Sequence, residues 1–412
     1  MGTRMVKVLL AASVVSGASA TVAPAAGRQV PKSTNGNPVS QVAAGLPPVT
    51  TSFAFGAGQV FAGNEGSETG SAPGGVFVLR RGSATLLPDS PGFVFGLAWH
   101  RDTLYVSTGS RLLAWSDWTG SDFARRRTIY TAPRGFGAFN GLGFGANDRL
   151  YAAVDTGNSD HGPSTTPFAR DILSFTAAGK HLRIVARGIR QPWQMVFPSG
   201  SSSPFVSDLG QDSGATDPPD FVLRVKQGDD YGFPSCNWTA LVACPRFTKP
   251  FARLAPHTDD MGLGILGGRL YISEFGALSP PQVVSMPLRG GPVKPLLTGF
   301  RAPIVGLGIH SGWLYVGELT GQVFRVRPQA SIIGLPDREF SCRRRRYGDI
   351  RARELADELG IQLRRINGHR QSGRARVIRL GGACWGLRPL RCSSACAGRW
   401  PLLRADRAAV AD

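Results

Sequence analysis

The chain reads as an all-β protein, a six-bladed β-propeller, on three observations. A short two-strand pattern recurs six times, its copies are spaced by the length of a propeller blade, and the composition is rich in glycine and poor in charge. Of 412 residues, 53 are glycine and 18% are charged. The pattern is a Gly-Leu strand, a polar turn and a Leu-Tyr strand.

The first residues predict a secretory signal over 1–20. Arg4 and Lys7 make a positive start, Val8 to Val15 an apolar stretch, and Ala18, Ser19 and Ala20 a small-residue cleavage site. The apolar run is too short to span a bilayer, and no later segment offers about 18 uninterrupted apolar residues, so stable membrane insertion is not expected. Residues 21–49 follow as a Pro-, Ala- and Ser-rich linker.

The propeller is expected over 50–328. Four copies of the pattern are strong: Gly96-Leu97 with Leu104-Tyr105, Gly141-Leu142 with Leu150-Tyr151, Gly262-Leu263 with Leu270-Tyr271, and Gly306-Leu307 with Leu314-Tyr315. Weaker copies are Phe53-Ala54-Phe55 with Val60-Phe61 and Gln194-Met195-Val196-Phe197 with Phe205-Val206. The equivalent aromatics, Phe61, Tyr105, Tyr151, Phe205, Tyr271 and Tyr315, lie 44, 46, 54, 66 and 44 residues apart. The two long steps predict insertions at one mouth of the ring. Each copy leads into a third apolar strand, such as Ile172 to Phe175 or Val323 to Val326, and most into a fourth. The last copy lacks a fourth strand. A closed ring needs one, because an open edge invites aggregation, and Val39 to Val49 can supply it.

After Pro328 the blade pattern stops. Residues 329–412 hold 18 arginines, no lysine and 8 acidic residues, a net +10 of the chain's +19. This tail reads as a disordered or out-of-frame extension, with one amphipathic stretch over 350–363. Removing the tail leaves a mild charge excess, which argues against nucleic acid as a partner of an exported propeller. Cys236 and Cys244, eight residues apart inside the propeller, form a natural local disulfide in an oxidising compartment. The tail cysteines Cys342, Cys384, Cys392 and Cys396 show no metal-binding spacing.

Between Phe139 and Cys236 several motifs stand in order: Phe139-Asn140-Gly141, Leu150-Tyr151-Ala152, Thr156-Gly157-Asn158, Ala186-Arg187-Gly188-Ile189-Arg190-Gln191-Pro192, Pro219-Asp220-Phe221, and Gly228 to Cys236 with Tyr231-Gly232-Phe233-Pro234 at its centre. In this order and spacing the stretch resembles the glucose/sorbosone dehydrogenase family. These are soluble quinoprotein propellers that oxidise sugars with pyrroloquinoline quinone (PQQ). The resemblance implies PQQ and Ca²⁺ as cofactors, a small sugar as substrate and a separate electron acceptor. It implies quinone contacts from Arg190, Gln191 and Tyr231, a guanidinium being suited to planar carboxylates. Pro219 and Asp220 correspond to the calcium region.

The departures fall at the chemistry. The family's histidine, the general base toward the sugar hydroxyl, corresponds to Phe139, whose ring cannot accept a proton. The aspartate that would orient that histidine corresponds to Asn158, or to Asp155 under a different alignment of the turn. Phe221 stands where the family has a glutamate, so a carboxylate ligand is lost there.

Other residues invite a role independently. Asp160 and His161 share a polar loop and form either a metal-ligand or acid-base pair or a solvated turn. Asp155, Asp208, Glu274 and Glu318 each end a second strand and either ring the channel or cap turns. Three functions follow: an exported PQQ-dependent sugar dehydrogenase, a carbohydrate-binding propeller without oxidoreductase activity, and a calcium-dependent lactonase using Asp155, Asp208 and Glu318.

Overall fold

The computed structural model describes residues 30–328, apart from 68, 81, 212–217, 240–243 and 277, and the backbone of short strands between 339 and 392. The expected signal over 1–20 and the amphipathic stretch over 350–363 lie outside the described residues. The chain divides into two units, Met1–Ala330 and Ser331–Asp412.

The first unit is a six-bladed propeller of antiparallel sheets. Blade 1 runs Thr50–Gly56, Gln59–Gly66, Pro73–Arg80, Ser83–Leu86, and blade 2 runs Gly96–His100, Thr103–Ser107, Arg111–Trp118, Phe123–Thr131. Blade 3 comprises Phe139–Phe144, Arg149–Val154, Ile172–Thr176 and Arg183–Arg187, and blade 4 Pro192–Val196, Phe205–Asp208, Phe221–Arg224 and Ala252–Arg253. Blade 5 comprises Asp260–Leu266, Arg269–Glu274, Gln282–Pro287 and Lys294–Thr298. Blade 6 has Ile304–His310, Trp313–Glu318 and Val323–Val326, and its fourth strand comes from the other end of the propeller, Ser40–Ala43, with Gln41 opposite Phe324. That pairing closes the ring and leaves blade 6 no bare edge of its own. Lys32–Ser33 adds a fifth strand outside blade 5. No helix among the described residues is long and apolar enough to cross a membrane.

The repeat has a packing cause. Apolar residues on the facing sides of each pair of adjacent blades form one cluster per interface. Tyr105 packs with Leu142 and Leu150 between blades 2 and 3, Tyr271 with Ile304 and Leu314 between blades 5 and 6, and Tyr315 with Phe53 and Phe77 between blades 6 and 1. The recurring second-strand aromatic is thus the residue each blade buries against the next. Each fully buried side chain of this size contributes roughly 1.5–3 kcal/mol.

The motif glycine marks where neighbouring first strands cross. A Cβ on Gly141 would lie 2.6 Å from the Trp193 carbonyl oxygen of blade 4, and one on Gly306 would lie 2.7 Å from the Thr50 carbonyl oxygen of blade 1. Blade 4 carries Gln194 at this position, and the side chain goes elsewhere. Its Nε2 donates to the carbonyls of Thr51 (3.3 Å) and Phe95 (3.0 Å), in blade 1 and next to blade 2. Trp193, Met261 and Val305, from blades 4, 5 and 6, cluster with Val49 and Phe95 and fill the ring's axis with apolar side chains.

The second unit is described by backbone alone. Glu339–Arg344 pairs with Arg374–Arg376 and Leu390–Cys392, and Arg379–Leu380 with Ala383–Cys384.

Candidate functional site

Second strands end, and first strands begin, at the same mouth of the ring. The two long steps in the repeat become two excursions that reach this mouth, one starting here and one climbing from the opposite mouth. One is the loop 155–171 between the second and third strands of blade 3. The other is the segment 225–251 between the third and fourth strands of blade 4, which first runs beside blade 3, with Ala186 opposite Asp229 in parallel pairing. The Cys236–Cys244 disulfide fastens this segment with its Cα atoms 6.1 Å apart, within the normal range. The Trp238 indole donates to the Tyr231 carbonyl at 2.8 Å, so the segment folds back on itself.

Three of the four second-strand carboxylates are buried turn braces, and the fourth, buried Glu274, accepts the Gln282 side-chain amide at 2.7 Å. Asp208 accepts the Gln191 backbone N–H at 2.9 Å, and Glu318 accepts those of Arg301 and Ala302 at 3.0 and 3.1 Å. In each case the braced residues lead into the first strand of the same blade. Asp155 accepts from Gly157 at 3.1 Å and from the Ala138 backbone, while its Oδ2 is buried without a hydrogen-bond partner. Burial raises Asp155 to about 6, and Asp208 and Glu274 to about 7.

Phe139 is fully buried, packed edge-on against Tyr130 and Phe175 and tilted against Phe136, between blades 2 and 3. Asn158 organises its own loop, accepting from Ser164 and Thr165 and donating to Thr165 Oγ1. Arg190, just before blade 4, pairs through Nη2 with Asp160 at 2.5 Å and reaches the Leu209 carbonyl at 3.3 Å. His161 stands 3.6 Å from the same Asp160 and is largely exposed. Gln191 accepts the Thr156 N–H at 2.9 Å and is buried. Tyr231 is buried, and its hydroxyl donates to the Arg224 carbonyl at 3.2 Å. Asp220 accepts from Gly210 N, Thr258 Oγ1 and Asp259 N at 2.6, 2.9 and 2.7 Å. The Pro218 and Pro219 carbonyls lie against Gly210, beside that carboxylate.

The structure therefore gathers Arg190, Tyr231, Asp208 and the Pro219–Asp220 turn at the shared mouth of blades 3 and 4, and keeps Phe139 apart in the core. Arg190, Tyr231, Phe233 and Trp238, with Gln211 and Asn237, surround a cavity of about 20 Å³, the room of roughly one water. No group of three His, Cys, Asp or Glu among the described residues is arranged to hold a metal ion.

Two residues escape a motif-by-motif reading. Arg170 is buried under the loop it anchors, donating to the carbonyls of Ser159 (2.7 Å) and Gly162 (2.6 Å) and stacking on Phe233 at 4.5 Å. Asp260 opens the first strand of blade 5 and is completely buried, with neither carboxylate oxygen hydrogen-bonded. Burial, and the nearby carboxylates of Asp220, Asp208 and Glu274, raise it far above the usual range. Aligning the blades on their glycines exposes the anomaly, since Asp260 occupies the place of Val94, Phe139 and Ile304, all buried and apolar.

No protein-family model and no curated protein matches this chain. Solved structures do. The PQQ-bound aldose sugar dehydrogenase of Streptomyces coelicolor superposes with a TM-score of 0.57 at 16% identity, over 72% of this chain and 99% of that one. The holo PQQ domain of pyranose dehydrogenase from Coprinopsis cinerea gives 0.58 at 15% identity, over 73% and 97%. The calcium structure of a family AA12 carbohydrate-active enzyme from Trichoderma reesei gives 0.60 at 16%, over 73% and 97%. This chain shares the six-bladed propeller fold of these proteins.

Proposed function

We propose that this chain is an exported propeller of the soluble sugar dehydrogenase type that binds a small sugar at the mouth of blades 3 and 4 without oxidising it. One observation carries the reading. Phe139, at the position of the family's histidine, is a core residue with no exposed surface, so the base of the resemblance is absent in chemistry and in placement.

The cofactor residues support the same view. Arg190 is taken by Asp160, Gln191 by Thr156 and Tyr231 by Arg224, and the cavity lined by Arg190 and Tyr231 is about 20 Å³. As folded, they do not fit a tricyclic quinone. The Asp220 oxygens are engaged by protein donors, Gly210 N, Thr258 Oγ1 and Asp259 N, which disfavours calcium on that carboxylate. At the rim of that small cavity the half-buried Asn237, held by Gln211 beside the aromatic residues, suits hydroxyl recognition. Export is supported by the signal-like residues 1–20 and by the Cys236–Cys244 disulfide.

Sugar oxidation is the second reading, favoured by Asp155. Its Oδ2 is unpartnered and its pKa, about 6, suits a proton acceptor near neutral pH. One experiment separates the two. The purified protein is titrated with a panel of aldoses by calorimetry, and dye reduction is then followed with PQQ and Ca²⁺ added. Sugar binding without dye reduction is expected. Sugar-dependent reduction that disappears in Asp155→Asn would replace the first reading with the second.

A further inference from the structure

The contact between Arg190 and Asp160 is unequal. The Arg190 side chain is 12% exposed and its counter-ion 47%. A guanidinium so buried needs an anion, and it satisfies a carboxylate best through two parallel N–H donors. Asp160 takes only Nη2, Leu209 accepts a long bond from Nη1, and Nε is buried without a partner. The anion thus arrives from a self-closed loop and uses part of the available fork.

That loop is held across the mouth by polar contacts. Arg170 grips the Ser159 and Gly162 carbonyls from below, and its own Nε is also buried without a partner. From blade 4, Gln211 Nε2 donates to the Asp160 carbonyl at 3.3 Å, and Asn237 Nδ2 donates to Gln211 Oε1 at 2.6 Å. Among the described residues, Asp160 is the one carboxylate at ion-pair distance from either of these two buried arginines, with buried Asp208 the next charge acting on Arg190. Releasing the Asp160 carboxylate to water costs little, because it is already half exposed.

We propose that Asp160 is a tethered occupant of the ligand site, and that the carboxylate of a small sugar acid displaces it from Arg190. The sugar part of this inference rests on the carbohydrate-binding reading above; the exchange of carboxylates does not. A free carboxylate can engage Nε and Nη2 together, which Asp160 does not do. The hydroxyls would meet the half-buried Asn237 at the rim, which a neutral sugar reaches with the Asp160 loop in place.

The test is calorimetric titration of the full chain with gluconate, glucose and acetate, in wild type and in Asp160→Asn. A competitor closed in nine molecules of ten weakens the apparent affinity about tenfold. Asp160→Asn should therefore bind gluconate and acetate about tenfold more tightly, with glucose changed less than about twofold. Arg190→Gln should abolish the gluconate signal. In wild type, gluconate should speed backbone hydrogen exchange over 156–166, and glucose should not, a readout independent of how the variants fold. Equal affinities of the anions for wild type and Asp160→Asn, or an equal gain for glucose, would overturn the exchange. If acetate gains while neither sugar binds, the exchange stands and the carbohydrate reading falls. If glucose binds and neither anion responds, the reverse holds.

Discussion

The side-chain amide of Gln194 donates to the Phe95 carbonyl at 3.0 Å, a bond that crosses the axis of the ring from blade 4 to the entry of blade 2. A second bond, to Thr51 at 3.3 Å, ties the same side chain to blade 1. A position that is glycine in blades 2, 3, 5 and 6 has become a cross-brace, and Trp193, beside it, plugs the channel.

Gln194→Ala should therefore be costly although it removes no apolar core. It leaves two carbonyls at the axis without their donor, at about 1–3 kcal/mol for an unsatisfied buried group. Thermal melting should fall by several degrees, with sugar binding at the mouth retained in the folded fraction. Unchanged melting would mean that the axis is hydrated and the brace unnecessary.

Gly141→Ala tests the crossing of first strands. The new methyl would meet the Trp193 carbonyl oxygen at 2.6 Å and the Gln194 Cα at 2.8 Å. Backbone cannot yield as a side-chain tip can. A loss of about 1–3 kcal/mol or more is expected in denaturant unfolding.

These two positions also explain what was legible beforehand. The glycine and the tyrosine recur because every interface imposes the same close crossing and the same buried ring, so fold and blade count can be read from their spacing. Local pattern is silent where one blade departs from its siblings. Arg190 and Asp160 lie 30 residues apart and meet only because one loop folds over the mouth. Asp260 looks like an ordinary strand-end acid until the blades are superposed on their glycines. Phe139 is the intermediate case, since the motif resemblance would put a histidine there, and only packing identifies it as core.

Phe139→His examines whether the oxidising base can be restored by one substitution. The imidazole would sit among Tyr130, Phe136 and Phe175, losing apolar contact and burying ring nitrogens without partners. The expected result is a loss of about 2–4 kcal/mol and no dye reduction with PQQ, Ca²⁺ and aldoses. Appearance of turnover would show that position 139 reaches the site and would revive the dehydrogenase reading.

The buried carboxyls set the pH dependence of stability. Burial raises Asp155 to about 6, and Asp171, Asp208 and Glu274 to about 7, with Asp220 also raised and Asp260 raised well above its usual range. In the unfolded chain these groups ionise near pH 4. Between pH 4 and the folded values the native state binds more protons, so stability is fully present below about pH 4 and is lost as pH rises through about 6 to 7. Melting temperature should fall from pH 5 to pH 8, opposite to the trend produced by salt-bridged carboxylates. Asp260 contributes most clearly, because its site is apolar in blades 2, 3 and 6 and its oxygens have no hydrogen-bond partner. Asp260→Val should raise stability at pH 8 by about 1–3 kcal/mol, raise it less at pH 5, and flatten the slope between them. A variant whose melting curve stays parallel to wild type across that range would show that Asp260 is not part of the proton uptake, and the burden would shift to Asp208 and Glu274.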